Sequence, residues 1–388
     1  MQKRGQVAPA ALAALKAYGA MPLARFFAAA ALLAIIAGPS PAAETYLKEE
    51  LRIPFVAAGA PGLEALLVRP AEPGRYPLAL LSHGAPRLPA DRPAMTPWGM
   101  LPQAIEFARR GWAAVVVMRR GYGGSGGDWA EAYGTCDNPN YVAAGDAAAA
   151  DLKAAISFLR GRPDVDPSRV IGVGVSAGGF ATVALTAQAP PELAAAISFA
   201  AGRGSLHDGE VCREDRLIES FRSFGKRSRT PMLWVYAEND HFFAPALAQK
   251  LKQAVADGGA SVDFVRAPAF GSDGHALFSA AGIPAWSGLV DAFLRLCGLE
   301  LRTALLPPPP RPALAAPSTL GTNGRKSFET YLMSAPHKAF AVSPDGSFGW
   351  TSGARTAEAA KSSALHFCRQ GGGDCGVVFV DDDALAGK

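Results

Sequence analysis

Ser176 stands at the centre of Gly174-Val175-Ser176-Ala177-Gly178, a G-x-S-x-G pattern. An apolar run over 170–175 leads into it, and a small-residue helical pattern from Ala177 leads out. A serine on such a tight strand-to-helix turn exposes its hydroxyl, and bulky neighbours would collide there, hence the glycines. The helix N-terminus beneath it favours developing negative charge. A serine hydroxyl is a poor nucleophile until a base takes its proton, and the base needs a partner to hold its tautomer. The chain order that accompanies this turn is Ser, acid, His. Asp240 follows the expected strand 232–236 within Ala237-Glu238-Asn239-Asp240-His241, and His275 follows the expected strand 262–266 within Gly271-Ser272-Asp273-Gly274-His275. Residue types, order and loop positions agree, so Ser176 is expected to be the nucleophile, His275 the base and Asp240 the orienting acid.

Each assignment has competitors. Glu238 and Asp273 are the alternative acids. Of the six histidines, His83 precedes the serine, His207 follows the wrong strand, His241 adjoins the acid, and His337 and His366 lie in the last part of the chain. Gly123-Gly124-Ser125-Gly126-Gly127 repeats the serine pattern but opens into the polar loop Asp128-Trp129-Ala130, so it reads as a rim loop. Gly172-Val173-Gly174-Val175-Ser176-Ala177 fits G-x-G-x-x-A, yet the next strand ends Ser198-Phe199-Ala200-Ala201 without the acid a ribose needs. For the oxyanion, backbone donors are expected from Ala177, after the nucleophile, and from Ala85 in Ser82-His83-Gly84-Ala85-Pro86, because Pro86 has no N–H.

The elements that must position these residues read as alternating strands and helices. Strands are expected at 46–53, 63–69, 78–82, 113–118, 170–175, 195–199, 232–236 and 262–266, and helices at 101–110, 143–159, 177–187, 245–256 and 286–296. A Gly/Pro turn joins the first two strands as a hairpin. The remainder alternates as a mostly parallel eight-stranded sheet with helices on both faces, whose ligands gather at the strands' carboxyl ends. Pocket walls are expected from the loops 136–141 and 201–224. The run Leu306-Pro307-Pro308-Pro309-Pro310-Arg311-Pro312 marks a linker over 305–318, between a domain at 44–304 and a small α+β module at 319–388. Within the module, strand, helix and strand are expected at 340–350, 356–368 and 376–380. It could bind an envelope component or merely stabilise the chain.

Lys3, Arg4, Lys16 and Arg25 account for the net charge of +4, leaving the rest formally neutral and without a basic tract for nucleic acid. Arg25, the apolar run 26–37 and Gly38-Pro39-Ser40-Pro41-Ala42-Ala43 compose a secretory signal over 1–43, with Met21 a candidate start. A periplasmic or secreted location suits the five cysteines. Cys368 and Cys375 flank a glycine loop, Cys136 and Cys212 are a candidate second pair, and Cys297 is left over. No Cys/His spacing suggests a metal, and no cofactor is expected.

Residues about 46–300 resemble the α/β-hydrolase superfamily, and within it the serine-type relatives of dienelactone hydrolases. The matching pieces are His83-Gly84-Ala85-Pro86, Arg120-Gly121-Tyr122-Gly123, Gly174-Val175-Ser176-Ala177-Gly178-Gly179, Glu238-Asn239-Asp240 and Gly274-His275. Dienelactone hydrolases proper carry a cysteine nucleophile, from which Ser176 departs. Gly179 also resembles prolyl-oligopeptidase-like peptidases. The resemblance implies an acyl-enzyme route on a small ester or peptide-like substrate, with Tyr122 and His83 expected beside that substrate.

Overall fold

The computed structural model describes residues 44–385, so the expected signal segment 1–43 lies outside the described residues. Strand β1 (Tyr46–Phe55) turns back as β2 (Gly59–Pro70), followed by β3 (Tyr76–Ser82), helix α1 (Leu101–Arg109), β4 (Ala113–Val117), α2 (Tyr141–Leu159), β5 (Val165–Val175), α3 (Ala177–Gln188) and β6 (Leu193–Phe199). A small hairpin, β7 (Ser205–His207) and β8 (Glu210–Val211), precedes α4 (Glu214–Arg227). Then come β9 (Met232–Ala237), α5 (Pro245–Asp257), β10 (Val262–Ala267) and α6 (Ile283–Leu296).

The eight-stranded sheet runs β1-β2-β4-β3-β5-β6-β9-β10. Strand β2 is antiparallel to both neighbours, and every pair from β4 to β10 is parallel. Both faces are buried, which is why the central strands read as continuous apolar runs. Leu78 and Leu80 face a core with Leu152, Phe180, Phe221 and Trp234, whereas Ala79 and Leu81 face Phe107, Trp286 and Phe293. Each large side chain buried in these layers contributes on the order of 1.5–3 kcal/mol.

Helix α4 corrects the expected loop 201–224. Half of its residues are charged, but Leu217, Phe221 and Phe224 fall on one buried face at spacings of four and three.

Beyond residue 304 the segment to Pro317 has no regular structure. It is tied down, since the Tyr46 hydroxyl donates to the Pro307 carbonyl and Leu306 N donates to Arg109 O at 3.1 Å. Helix α7 (Thr322–Leu332), β11 (Ala339–Val342), β12 (Phe348–Thr351), α8 (Ala357–Gln370), β13 (Gly376–Val380) and β14 (Asp383–Ala384) follow. Their antiparallel sheet has the order β12-β11-β13-β14. The expected strand 340–350 is a hairpin, because Asp345 accepts from Ser347 N and Gly346 takes φ +89° to close the turn. Phe328, Tyr331, Phe340 and Phe379 form the core of this part.

Cys368 and Cys375 sit at disulfide-bonding distance with Cα atoms 6.1 Å apart, as do Cys136 and Cys212 at 5.2 Å. Cys297 is unpaired among the described residues. No described helix is long and apolar enough to cross a membrane.

Candidate active site

Strand β5 delivers Ser176 to its carboxyl edge, and α3 begins at the next residue. Ser176 is held at φ 56°, ψ −123°, a backbone conformation that costs a non-glycine residue about 1–3 kcal/mol. Sequence explains how so sharp a turn packs. A Cβ on Gly174 would lie 2.2 Å from Gly178 O, and a Cβ on Gly178 would lie 2.1 Å from Ser82 O. Only glycines allow the helix to start this close to the strand and to the loop after β3.

Asp240 follows β9 and is almost fully buried. Its Oδ1 accepts the backbone N–H groups of Phe242 and Phe243, each at 2.8 Å, and its Oδ2 lies 3.0 Å from His275 Nδ1. His275 sits on a short 3-10 turn after β10, Gly274–Leu277. Asp273 accepts His275 N at 2.9 Å and His241 N at 3.1 Å, which clamps the two loops together and gives this carboxylate a structural task. The Glu238 side chain is exposed and faces Arg266. Of the three candidate acids, Asp240 alone reaches the imidazole.

The ring of Phe242 stacks on His275 with centroids 4.0 Å apart, and Phe242 lines a cavity of about 160 Å³ together with Ser176. Among the described residues neither Ser176 Oγ nor His275 Nε2 has a hydrogen-bond partner. Catalytic bonds of this kind commonly tighten only with substrate bound. Ala85 and Ala177 line the same cavity, and neither N–H is spent on a backbone carbonyl of the surrounding turns and loops.

His83, expected beside the substrate, is not among the residues that line this cavity. It is buried, its Nδ1–H donates to Gly84 O at 2.6 Å, and its Nε2 accepts from Arg119 N at 3.2 Å. Burial pushes its pKa down to about 3, so the ring stays neutral and braces the loop that carries Ala85. Tyr122 does line the cavity, but its hydroxyl is engaged with Glu131 and Trp129. Arg120 of the same motif is spent on Asp151 of α2. The competing Ser125 is pinned at both ends of its hydroxyl, donating to Met118 O at 2.6 Å and accepting from Glu64 N at 2.8 Å.

Several lining residues had no sequence signal. Arg87, Trp129 and Arg203 sit in loops and Arg92 in a short 3-10 turn, without periodicity, yet all four line the cavity with Ser176. Arg203 bonds Glu131 at 2.6 Å, and Arg119 pairs with the same carboxylate from its other side. Burial alone would raise Glu131, but the two guanidinium groups outweigh it and hold the carboxyl at about 2. Arg92 lies over the Trp129 ring, 3.9 Å from its centroid, with one guanidinium nitrogen buried and unpartnered. Among the described residues no Asp or Glu lines this cavity, and the loop 136–141 contributes nothing to it. A larger cavity of about 450 Å³, between α1, α6, the proline run and the C-terminal part, does not reach Ser176. No three His, Cys, Asp or Glu side chains among the described residues are grouped to hold a metal ion.

The antiparallel β2 in an otherwise parallel eight-stranded sheet and the serine turn between β5 and α3 decide the fold. The chain is an α/β-hydrolase by fold. The X-Pro dipeptidyl-peptidase (S15 family) model matches residues 61–225 of this chain, less than half of it. Among solved structures, an acylaminoacyl peptidase of Pyrococcus horikoshii is 18% identical over 68% of this chain and 43% of its own, with a TM-score of 0.48. A puromycin-hydrolyzing peptidase of Mycobacterium tuberculosis is 19% identical over 66% of this chain and 39% of its own, with a TM-score of 0.47. A cold-adapted esterase from an Arctic intertidal metagenomic library is 17% identical over 66% of this chain and 94% of its own, at 0.43. The chain spans nearly all of the esterase but only about two-fifths of either peptidase. No curated protein matches it.

Proposed function

We propose that this α/β-hydrolase is an exported serine hydrolase that cleaves carboxylic esters through an acyl-enzyme. The observation that carries the reading is the strained Ser176 on the β5–α3 turn, set in one cavity with Phe242, which stacks on the Asp240-bound His275. Ser176 Oγ attacks the ester carbonyl carbon as its proton passes to His275 Nε2. The N–H groups of Ala85 and Ala177 receive the oxyanion. His275 then gives the proton to the departing alcohol, and water, deprotonated by the same nitrogen, releases the acid. Residues 44–304 would carry this chemistry, with 319–388 as an appended module and 1–43 as a signal removed on export. The paired Cys136–Cys212 and Cys368–Cys375 support an oxidising compartment.

The match of residues 61–225 to the S15 family favours a second reading, a dipeptidyl-peptidase using the same three side chains. Such an enzyme must hold a protonated amino terminus, which calls for a carboxylate in the cavity. Arg87, Arg92 and Arg203 are there instead, and no acid among the described residues lines the wall, which supports the ester. Assaying purified protein on short p-nitrophenyl esters and on X-Pro nitroanilides separates the two. Ester turnover without nitroanilide turnover is expected. The reverse pattern would replace this reading with the peptidase.

A further inference from the structure

We propose that Arg355, beyond the proline run, is a positioning residue for substrate binding, so that the C-terminal part helps build the wall of the active-site cavity; this rests on the serine-hydrolase reading above. Arg355 lies between β12 and α8. Its guanidinium bonds both carboxylate oxygens of Glu64 on β2, at 2.8 and 3.2 Å, and donates to Met95 O at 3.1 Å. Burial alone would raise the Glu64 carboxyl, but Arg355 and the Gly124 N–H outweigh it and keep the group ionised.

Glu64 is bonded to one segment that reaches the cavity, and Met95 directly follows the other. Glu64 Oε2 also accepts the Gly124 N–H at 2.5 Å, and Glu64 N donates to Ser125 Oγ, which fixes the loop after β4. Gly123 N in turn donates to Arg92 O at 2.9 Å, joining this loop to the 3-10 segment Pro89–Ala94. From the first loop comes Trp129 and from the second Arg92, stacked on one another in the wall beside Ser176. A second tie runs alongside, since the Thr96 hydroxyl donates to Gly353 O. Gly353 approaches so closely that a Cβ there would lie 2.7 Å from Gly99 N. A clamp that grips both loops from outside sets the spacing of Arg92 and Trp129 without touching the substrate.

The test is the concentration dependence of Ser176 labelling by a fluorophosphonate, in the full chain. In Arg355→Gln the concentration for half-maximal rate should rise about five- to tenfold, the loss of a charge-assisted contact in fold terms, while the limiting rate falls less. Arg355→Lys should recover part of the loss, because an ammonium keeps the charge but not the forked geometry. Thr96→Val should shift the same constant in the same direction, and remains informative if Arg355→Gln does not fold. Phe379→Leu, in the core of the C-terminal part and with no bond to the clamp residues, should lower the melting temperature without moving it. Equal constants in wild type, Arg355→Gln and Thr96→Val would overturn the proposal, as would an equal shift in Phe379→Leu. Absence of Ser176 labelling in wild type would instead sink the hydrolase reading on which it stands.

Discussion

The Asp240 carboxylate serves two tasks, with Oδ2 3.0 Å and Oδ1 3.2 Å from His275 Nδ1 and Oδ1 also taking the N–H groups of Phe242 and Phe243. The backbone bonds fix the carboxylate plane, and the carboxylate fixes the imidazole with Nδ1 protonated and Nε2 free to accept a proton. Asp240→Asn keeps the first task and corrupts the second, since an amide NH₂ would face Nδ1. Ester kcat should fall by about 10³–10⁴ in Asp240→Asn. Ser176→Ala and His275→Ala should each cost more, about 10⁶. An Asp240→Asn enzyme with near wild-type kcat would remove Asp240 from the account.

Ser125 separates motif from mechanism. Its hydroxyl bridges Met118 O and Glu64 N, so Ser125→Ala leaves a partly buried donor and acceptor without their shared partner. A loss of about 1–3 kcal/mol in stability is expected by denaturant unfolding. Ser176 should still be acylated in that variant.

Glu131 holds two buried guanidinium groups, Arg119 and Arg203, on opposite oxygens. Glu131→Gln removes the negative charge and leaves two cations facing each other away from water. Urea unfolding should report a loss of about 3–5 kcal/mol. A loss below 1 kcal/mol would mean that the cluster is not closed in solution.

His83 makes stability depend on pH in a defined window. Its folded pKa of about 3 lies below the ordinary 6.5, so between those values the unfolded chain binds a proton that the folded chain refuses. The contribution is complete above pH 6.5 and drains as pH falls towards 3, at up to about 1.4 kcal/mol per pH unit. The slope of unfolding free energy between pH 6.5 and 4.5 should therefore be shallower in His83→Asn than in wild type. Identical slopes would place the acid sensitivity elsewhere.

How much of this was legible beforehand depended on the kind of signal. The central strands of the main sheet were readable because burial on both faces makes each an apolar run, and all eight strands are found within about five residues of their expected bounds. The elbow was readable because steric exclusion writes glycines at fixed offsets from Ser176. Helix α4 was hidden by its charged surface, with the three buried residues Leu217, Phe221 and Phe224 too sparse to stand out. The bracing task of His83 was hidden for a different reason. A loop histidine before Gly84 looks like a ligand until its two nitrogens are seen to be bonded to the backbone. Arg87, Arg92, Arg203 and the grip of Arg355 on Glu64 depend on contacts between residues far apart in the chain, 291 positions in the last case, which no local pattern encodes.

Fluorophosphonate labelling followed by peptide mass spectrometry tests the central claim most directly. Wild-type protein should carry a single adduct on Ser176, and Ser176→Ala should carry none. An adduct that persists in Ser176→Ala and disappears in Ser125→Ala would contradict the account, because the strained serine at the head of α3 would then not be the nucleophile.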